Sequence, residues 1–296
     1  MLDEQAILRE LIEHRLVAGS ECLQFCSGGD THQSFRTIIN ESTPPLFIKA
    51  NTALHADVLA SEFASLTHMQ TLFPEGYPKP IYLSTSSETP FLVMEYLDLS
   101  PLQANQFAQL GELLARQHAI TQLQHGWPES NHIGPTPQSN IRSKCWADFF
   151  WEQRLVPQLN LADQRGLDRH SQTNILSLEA LIRDVLLQVE RPPSLLHGDL
   201  WGGNVAFDEA RNKASLFDPA PYYGDPEADL AMTQLFGGFG PEFYAAYYES
   251  RGPGQKSEHL YPIYNLYHAL NHFNAFGANY SAFVSQQTKK IEQMRR

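Results

Sequence analysis

Apolar positions recur at helical spacing over residues 3–17, and MLDEQAILRELIEHRL reads as an amphipathic, acidic helix and not as a signal peptide. The pattern then shifts to short runs. CLQFCSGGDTHQSFRTIIN reads as strand, glycine turn and strand, and LFIKA, after the breaker STPP, as a short apolar strand carrying Lys49. Residues 54–72 return to a helical pattern that contains Glu62, followed by the Pro/Gly connector PEGYPKP. IYLSTSSETPFLVMEYL reads as two strands joined by a polar turn. This order of helix, hairpin, strand, helix and hairpin predicts a small antiparallel sheet with one important helix.

Beyond Leu97 the texture changes. LGELLARQHAI is helical, GWPESNHIGPTPQSN is a long Pro/Gly/Asn loop, and CWADFFWEQRLVPQL and residues 174–190 are helical again. Short strands at 194–196 and 205–207 flank a Gly-rich turn, HGDLWGGN. ASLFDPAPYYGDPEADLAM reads as a strand ending at Asp218, a turn and a helix start, and the chain from about 241 as aromatic-rich helix. The predicted class is α+β with two lobes, a small antiparallel-sheet lobe over 1–97 and a larger, mainly helical lobe over 98–296.

Composition narrows the function. The 296 residues are 42% hydrophobic and 18% charged, enough to bury a core and unlike a disordered chain. A formal net charge of −12 argues against a nucleic-acid partner, which calls for clustered Lys and Arg. A nucleotide remains compatible, because a few local cations and a metal ion can hold it. Three cysteines, Cys22, Cys26 and Cys145, lack metal-type spacing and point to a reducing compartment. No apolar run approaches the roughly 18 residues of a membrane span. The expectation is a cytoplasmic protein without membrane or nucleic-acid partners, either monomer or homodimer.

The turn HGDLWGGN carries the most specific chemistry. Asp199 and Asn204 keep the D-x-x-x-x-N spacing of a kinase catalytic loop. There a carboxylate accepts a hydroxyl proton, and a neutral amide oxygen ligates Mg²⁺ without adding charge. Asp218, fourteen residues beyond Asn204, stands where a second, charged metal ligand belongs. Upstream, Lys49 on a strand and Glu62 on the next helix can form the ion pair that orients nucleotide phosphates. Gly28 and Gly29 in SGGDTHQSF let backbone amides approach those phosphates. FLVMEYL fits a lobe connector, with Met94 behind an adenine and the backbone of Glu95 and Leu97 at its edge. His197 reads as a brace for the loop. Each part alone is as easily a turn, a solvated charge or an edge strand; their order along the chain makes ATP and Mg²⁺ the expected cofactors.

LLHGDLWGGNVA, FDPAPYYGDPEADLAM, FGGF and LYHALNHFNAFG closely resemble the fructosamine/ketosamine 3-kinases. That family belongs to the aminoglycoside-phosphotransferase and choline-kinase-like group, and the resemblance implies a protein-kinase-like fold. It further implies ATP- and Mg²⁺-dependent phosphorylation of the O3 hydroxyl of a ketoamine, such as a ribulosamine or fructosamine adduct, in protein deglycation. Trp201, by the same resemblance, lies near the sugar-amine site. The family typically shows G-H-x-E where this chain has Gly224-Asp225-Pro226-Glu227, which makes Asp225 an expected attractor for a cationic amine at the substrate mouth. Two alternatives stay open: another small-molecule kinase of the same fold, or a nucleotide-binding pseudokinase.

Overall fold

The structure, a computed structural model, describes residues 2–19, 21–26, 32–38, 44–84, 88–252 and 256–295. Gly28 and Gly29 therefore lie outside the described residues. The chain divides into two compact units, Met1–Ser100 with Phe207–Phe217, and Pro101–Ala206 with Asp218–Arg296.

In the first unit, helix α1 (Glu4–Glu13) starts at Asp3, whose carboxylate accepts the Ala6 N–H at 3.0 Å and so caps an otherwise unpaired donor. Its buried residues, Ile7 and Leu11, are one helical turn apart. Five antiparallel strands follow: β1 (Cys22–Cys26), β2 (Gln33–Ile38), β3 (Leu46–Ala50), β4 (Pro80–Leu83) and β5 (Phe91–Glu95), in the order β1-β2-β3-β5-β4. Phe35 lies opposite Ile48, and Ile48 opposite Val93, so the three share one face and pack with Ile7 and Leu11. Strand side chains alternate, so Lys49, next to Ile48, points to the other face. There helix α2 (Ala56–Leu72) presents Glu62 to it.

The remainder begins with β6 (Leu99–Ser100) and α3 (Phe107–His118). The Pro/Gly/Asn loop contains a short hairpin, β7 (Asn131–Ile133) and β8 (Thr136–Gln138). The aromatic helix is broken by a π-helical turn, Trp151–Leu155, between α4 (Trp146–Phe150) and α5 (Val156–Gln164). Residues 174–190 are not one helix but parts of α6 (Arg169–Ser177), capped by Asp168, and α7 (Glu179–Leu186). Strand β9 (Ser194–Leu195) leads into HGDLWGGN, and β10 (Val205–Asp208) and β11 (Lys213–Leu216) follow it. Then come β12 (Tyr223–Gly224), α8 (Glu227–Leu235), α9 (Pro241–Arg251), α10 (Tyr261–Phe276) and α11 (Ser281–Glu292).

The units differ from the expected split of 1–97 and 98–296. Residues Phe207–Phe217 return to the first unit because β10 pairs with β6, Phe207 opposite Ser100 and Asp208 opposite Leu99. The Arg211 guanidinium then grips the Glu95 carboxylate at 2.5 and 3.2 Å. Strand β11 also stops at Leu216, two residues short of Asp218, which takes a left-handed φ of 54°.

In the second unit α3 crosses α9 at Gly111, where an added Cβ would sit 2.3 Å from the Phe243 carbonyl oxygen. Alanine gains about 0.8–1 kcal/mol of helix propensity over glycine. Overpacking against rigid backbone costs about 1–3 kcal/mol, so the crossing decides the sign. Gly111→Ala is expected to lower the melting temperature by several degrees. An unchanged or higher melting temperature would show that the two helices part freely.

Candidate active site

The turn after β9 is built around one buried carboxylate. Gly198 has a φ of +84°, and a Cβ there would lie 1.9 Å from the Ala220 carbonyl oxygen, so only glycine fits. Asp229, in the first turn of α8, accepts the His197 N–H at 2.7 Å and the Gly198 N–H at 2.9 Å. His118 Nε2 donates to the same carboxylate at 3.1 Å, and the Tyr247 hydroxyl donates to His118 Nδ1 at 2.8 Å. Burial pulls the His118 pKa down, against the upward pull of the Asp229 hydrogen bond and charge. Burial opposes charge on Asp229 too, but the His118 hydrogen bond and the backbone N–H groups outweigh it and hold its carboxyl below the usual range.

Beyond the glycine, Asp199 donates its N–H to His197 Nδ1 at 3.2 Å, so His197 braces the turn from within. A 3₁₀ turn, Gly202–Asn204, swings the chain back. Asn204 Nδ2 then donates to the Asp199 carbonyl at 2.9 Å and to its Oδ2 at 3.3 Å. The five-residue spacing thus serves to bring the amide onto the carboxylate. With its nitrogen directed at Asp199, Asn204 has Oδ1 to offer a cation. Burial, reinforced by the charges of Asp218 and Asp229 and opposed by the Asn204 hydrogen bond, pushes Asp199 up to about 7.

Asp199, Asn204 and Asp218 therefore form one group within the second unit, and its hard oxygen donors suit Mg²⁺. Such an ion commonly takes one or two protein ligands and fills its shell with water and phosphate oxygens. The crowding of negative charge around Asp199 is also what a divalent cation would offset. Trp201 lies at the head of the 3₁₀ turn, 38% exposed, with its indole laid over Gly203, where a Cβ would fall 2.3 Å from the ring.

Asp225 departs from expectation. It is only 1% exposed and takes a two-pronged ion pair from Arg191, Nε and Nη2 each at 2.7 Å. The Tyr264 hydroxyl donates to it at 2.5 Å. A carboxylate sealed this way is not open to a cationic amine, so Asp225 is a structural anchor and not part of a substrate mouth. Its charge, second to burial, helps push the neighbouring Glu227 up to about 7.

In the first unit, Lys49 Nζ donates to Glu62 Oε1 at 2.7 Å, with the two side chains 10% and 12% exposed. Met94 is buried on β5. Glu95 donates its N–H to the Lys79 carbonyl at 2.9 Å, while its carboxylate accepts the Lys79 N–H at 2.8 Å. Leu97 is buried just beyond.

Several residues that hold the turn escaped the sequence reading. Asp229 resembles any acid in the first turn of a helix, and His118 any histidine near a helix end. An amide network in the second unit was likewise hidden inside a loop-like stretch. Asn131 Nδ2 donates to the Pro221 carbonyl at 2.9 Å and Gln138 Nε2 to the Ala220 carbonyl at 3.1 Å, gripping the backbone just after Asp218. The one available signal was the density of Asn and Gln in NHIGPTPQSN.

This architecture and this turn define a phosphotransferase of the protein-kinase-like fold. The fructosamine kinase family model matches residues 5–295, and the chain belongs to that family. It is 36% identical over 267 residues to a probable ketoamine kinase of Synechocystis, slr1563, covering 89% of this chain and 88% of that one. It is also 36% identical over 244 residues to the chloroplastic protein-ribulosamine 3-kinase of Arabidopsis thaliana, covering 79% and 72%. A solved fructosamine-3-kinase-type structure from Haemophilus somnus 129PT superposes with a TM-score of 0.81 at 24% identity, over 97% of this chain and 95% of the other. The choline kinase LicA of Streptococcus pneumoniae shares the fold alone, with a TM-score of 0.64 at 14% identity over 97% and 99%.

Removing one partner of a buried ion pair costs about 3–5 kcal/mol, because the other charge is left behind. Asp225→Asn is expected to lose stability of that order in chemical denaturation, through stranding of the Arg191 guanidinium. A loss below about 1 kcal/mol would return Asp225 to the substrate side.

Proposed function

We propose that this chain is an ATP- and Mg²⁺-dependent ketosamine 3-kinase that phosphorylates the O3 hydroxyl of ribulosamine or fructosamine adducts and so serves protein deglycation. The observation that carries the reading is the Asp199–Asn204 contact with Asp218 in electrostatic reach, in a chain of the fructosamine kinase family. When bound, ATP supplies the phosphoryl group and Mg²⁺ offsets its charge. Asp199 accepts the proton of the O3 hydroxyl. Burial and the neighbouring acids raise its proton affinity above that of an ordinary carboxylate, which suits a general base. Asn204 Oδ1 and the Asp218 carboxylate hold the metal. Lys49, fixed by Glu62, offers its ammonium group to the phosphates, and Gly28 and Gly29 their backbone N–H groups. Met94 backs the adenine, whose edge meets the backbone of Glu95 and Leu97. Trp201 covers a face of the sugar with its exposed indole. No helix among the described residues is long and apolar enough to cross a membrane. On this reading the enzyme is cytoplasmic and acts as a monomer or homodimer.

The direct test is phosphate transfer from ATP to ribulosyl-lysine and fructosyl-lysine, with the phosphorylated position read by NMR. Asp199→Asn is expected to lower kcat by roughly 10²–10⁴-fold with nucleotide binding nearly intact. Near wild-type turnover in that variant would remove Asp199 as the base, and phosphate at another hydroxyl would refute the 3-kinase assignment.

The metal ligands are separable by charge. Mg²⁺ prefers anionic oxygen, so Asp218→Ala is expected to weaken Mg·ATP binding more than Asn204→Ala does. Calorimetric titration of both variants checks this. Equal, small losses would place the metal on other residues.

A further inference from the structure

Helix α10 carries His268, His272 and Phe276 four residues apart, and so along one face. Exposure rises along that stripe, from buried His268 through half-buried His272 to Phe276 at 47%. Its inner end, His268, is sealed in the second unit at 3% exposure. Its outer end is a knot of rings. His272 lies 4.7 Å from Phe236, 5.3 Å from Tyr280 and 5.6 Å from Phe276, and Phe283 closes the group at 5.9 Å from both Phe236 and Tyr280. Phe236 is 38% exposed, so two phenyl rings of one cluster face water.

The cluster is continuous with the catalytic turn. Phe236 is followed by Gly237 and Gly238, both left-handed at φ 72° and 97°. A Cβ on Gly202 would meet the Gly237 carbonyl oxygen at 3.8 Å, and one on Gly238 would meet the Gly202 Cα at 4.0 Å. A Cβ on Gly237 itself would meet nothing within 4 Å. Bare backbone beside open space therefore links the base of Trp201 to Phe236. From the turn outward, the exposed apolar groups are Trp201, Phe236 and Phe276.

We propose that Phe236 and Phe276, backed by Tyr280 and Phe283, form the subsite for the nitrogen-borne arm of the ketoamine, which in a glycated protein is the methylene stem of the modified lysine. The proposal rests on the ketosamine-kinase reading and extends it to specificity. A sugar whose hydroxyl meets Asp199 must send its amine substituent away from the phosphoryl-transfer centre, and the glycine path beside Trp201 leads to these rings. Lysine stems pack readily along apolar surface while their polar ends stay in water. Burial pushes the His272 imidazole down from its usual range, which disfavours a cation in the ring cluster that would repel the amine.

Two adducts of one sugar test this: ribulosyl-methylamine, which has no arm, and Nα-acetyl-Nε-ribulosyl-lysine, which has the full stem. The readout is the ratio of kcat/KM for the long adduct to that for the short one, with melting curves alongside. Phe236→Ser and Phe276→Ser are expected to lower the ratio roughly three- to thirtyfold, the loss of one or two methylene contacts. Phe276→Leu, which keeps apolar area at a site already half open to water, is expected to lower it less. An unchanged ratio in both serine variants would overturn the subsite, as would equal losses for the two adducts, which would assign the rings to the sugar site or to folding. A concentration-dependent dimer dissolved by Phe276→Ser at an unchanged ratio would give the patch to a second copy of the chain instead. If the wild-type protein phosphorylates neither adduct, the functional reading fails, and the subsite with it.

Discussion

The Asp229 carboxylate is the constraint on which the second unit depends. Gly198 must be left-handed for Asp199 to leave the buried strand, and that conformation exposes two consecutive N–H groups in a dry interior. Left unpaired, each would cost about 1–3 kcal/mol. Asp229 receives both, and His118 supplies a third donor to the same charge. The Tyr247 hydroxyl on Nδ1 and the Asp229 carboxylate on Nε2 together favour the His118 tautomer that carries its proton toward Asp229. Helices α3, α8 and α9 thus each contribute one side chain to fixing a turn that none of them contains.

The acids of this region solve different problems with different partners. Asp229 is matched by donors in its own neighbourhood, and Asp225 by a guanidinium. Asp199 is instead raised by burial and by its acidic neighbours, so its proton affinity lies within reach of neutral pH. Had the Arg191 charge stood beside Asp199, the carboxylate would be held ionised and would be a weaker base. Giving Asp225 and Asp229 their own partners, apart from Asp199, is what lets these three carboxylates behave differently within one unit.

Much of this was legible in the sequence. Strand LFIKA was read with its bounds intact because a short apolar run between a Pro break and a polar helix start has few other solutions. Asp199 and Asn204 were legible because their contact is local and needs only a tight turn between them. Asp225 was misread because a buried ion pair with a partner 34 residues away leaves no periodic trace, and in a Gly-Asp-Pro turn an acid looks solvated. The return of Phe207–Phe217 to the first unit was hidden for the same reason, since strand pairing over about a hundred residues is set by register and not by composition. Asp229 and His118 failed at the level of residue type, as both are ordinary helix residues until the fold brings a backbone turn to them.

The amide network raises a last question: why are side-chain amides used so heavily next to the turn? The segment after Asp218 must be held firmly, because Asp218 occupies a left-handed conformation costly for a residue with a side chain. A Lys or Arg could also donate to the Ala220 and Pro221 carbonyls, but it would add a full charge to the surroundings of Asp199. Amides from Asn131 and Gln138 give donors and acceptors without net charge. Where a cation does enter, as fully buried Arg154, its charge is spread over neutral acceptors and ring faces. It donates to the Ser139 carbonyl and to Asn140 Oδ1, and stacks 3.9 Å from the Tyr222 ring and 4.7 Å from Phe149. The loop is thereby fixed in place while the balance of charge at Asp199 is left to burial, to its acidic neighbours and to the Asn204 amide.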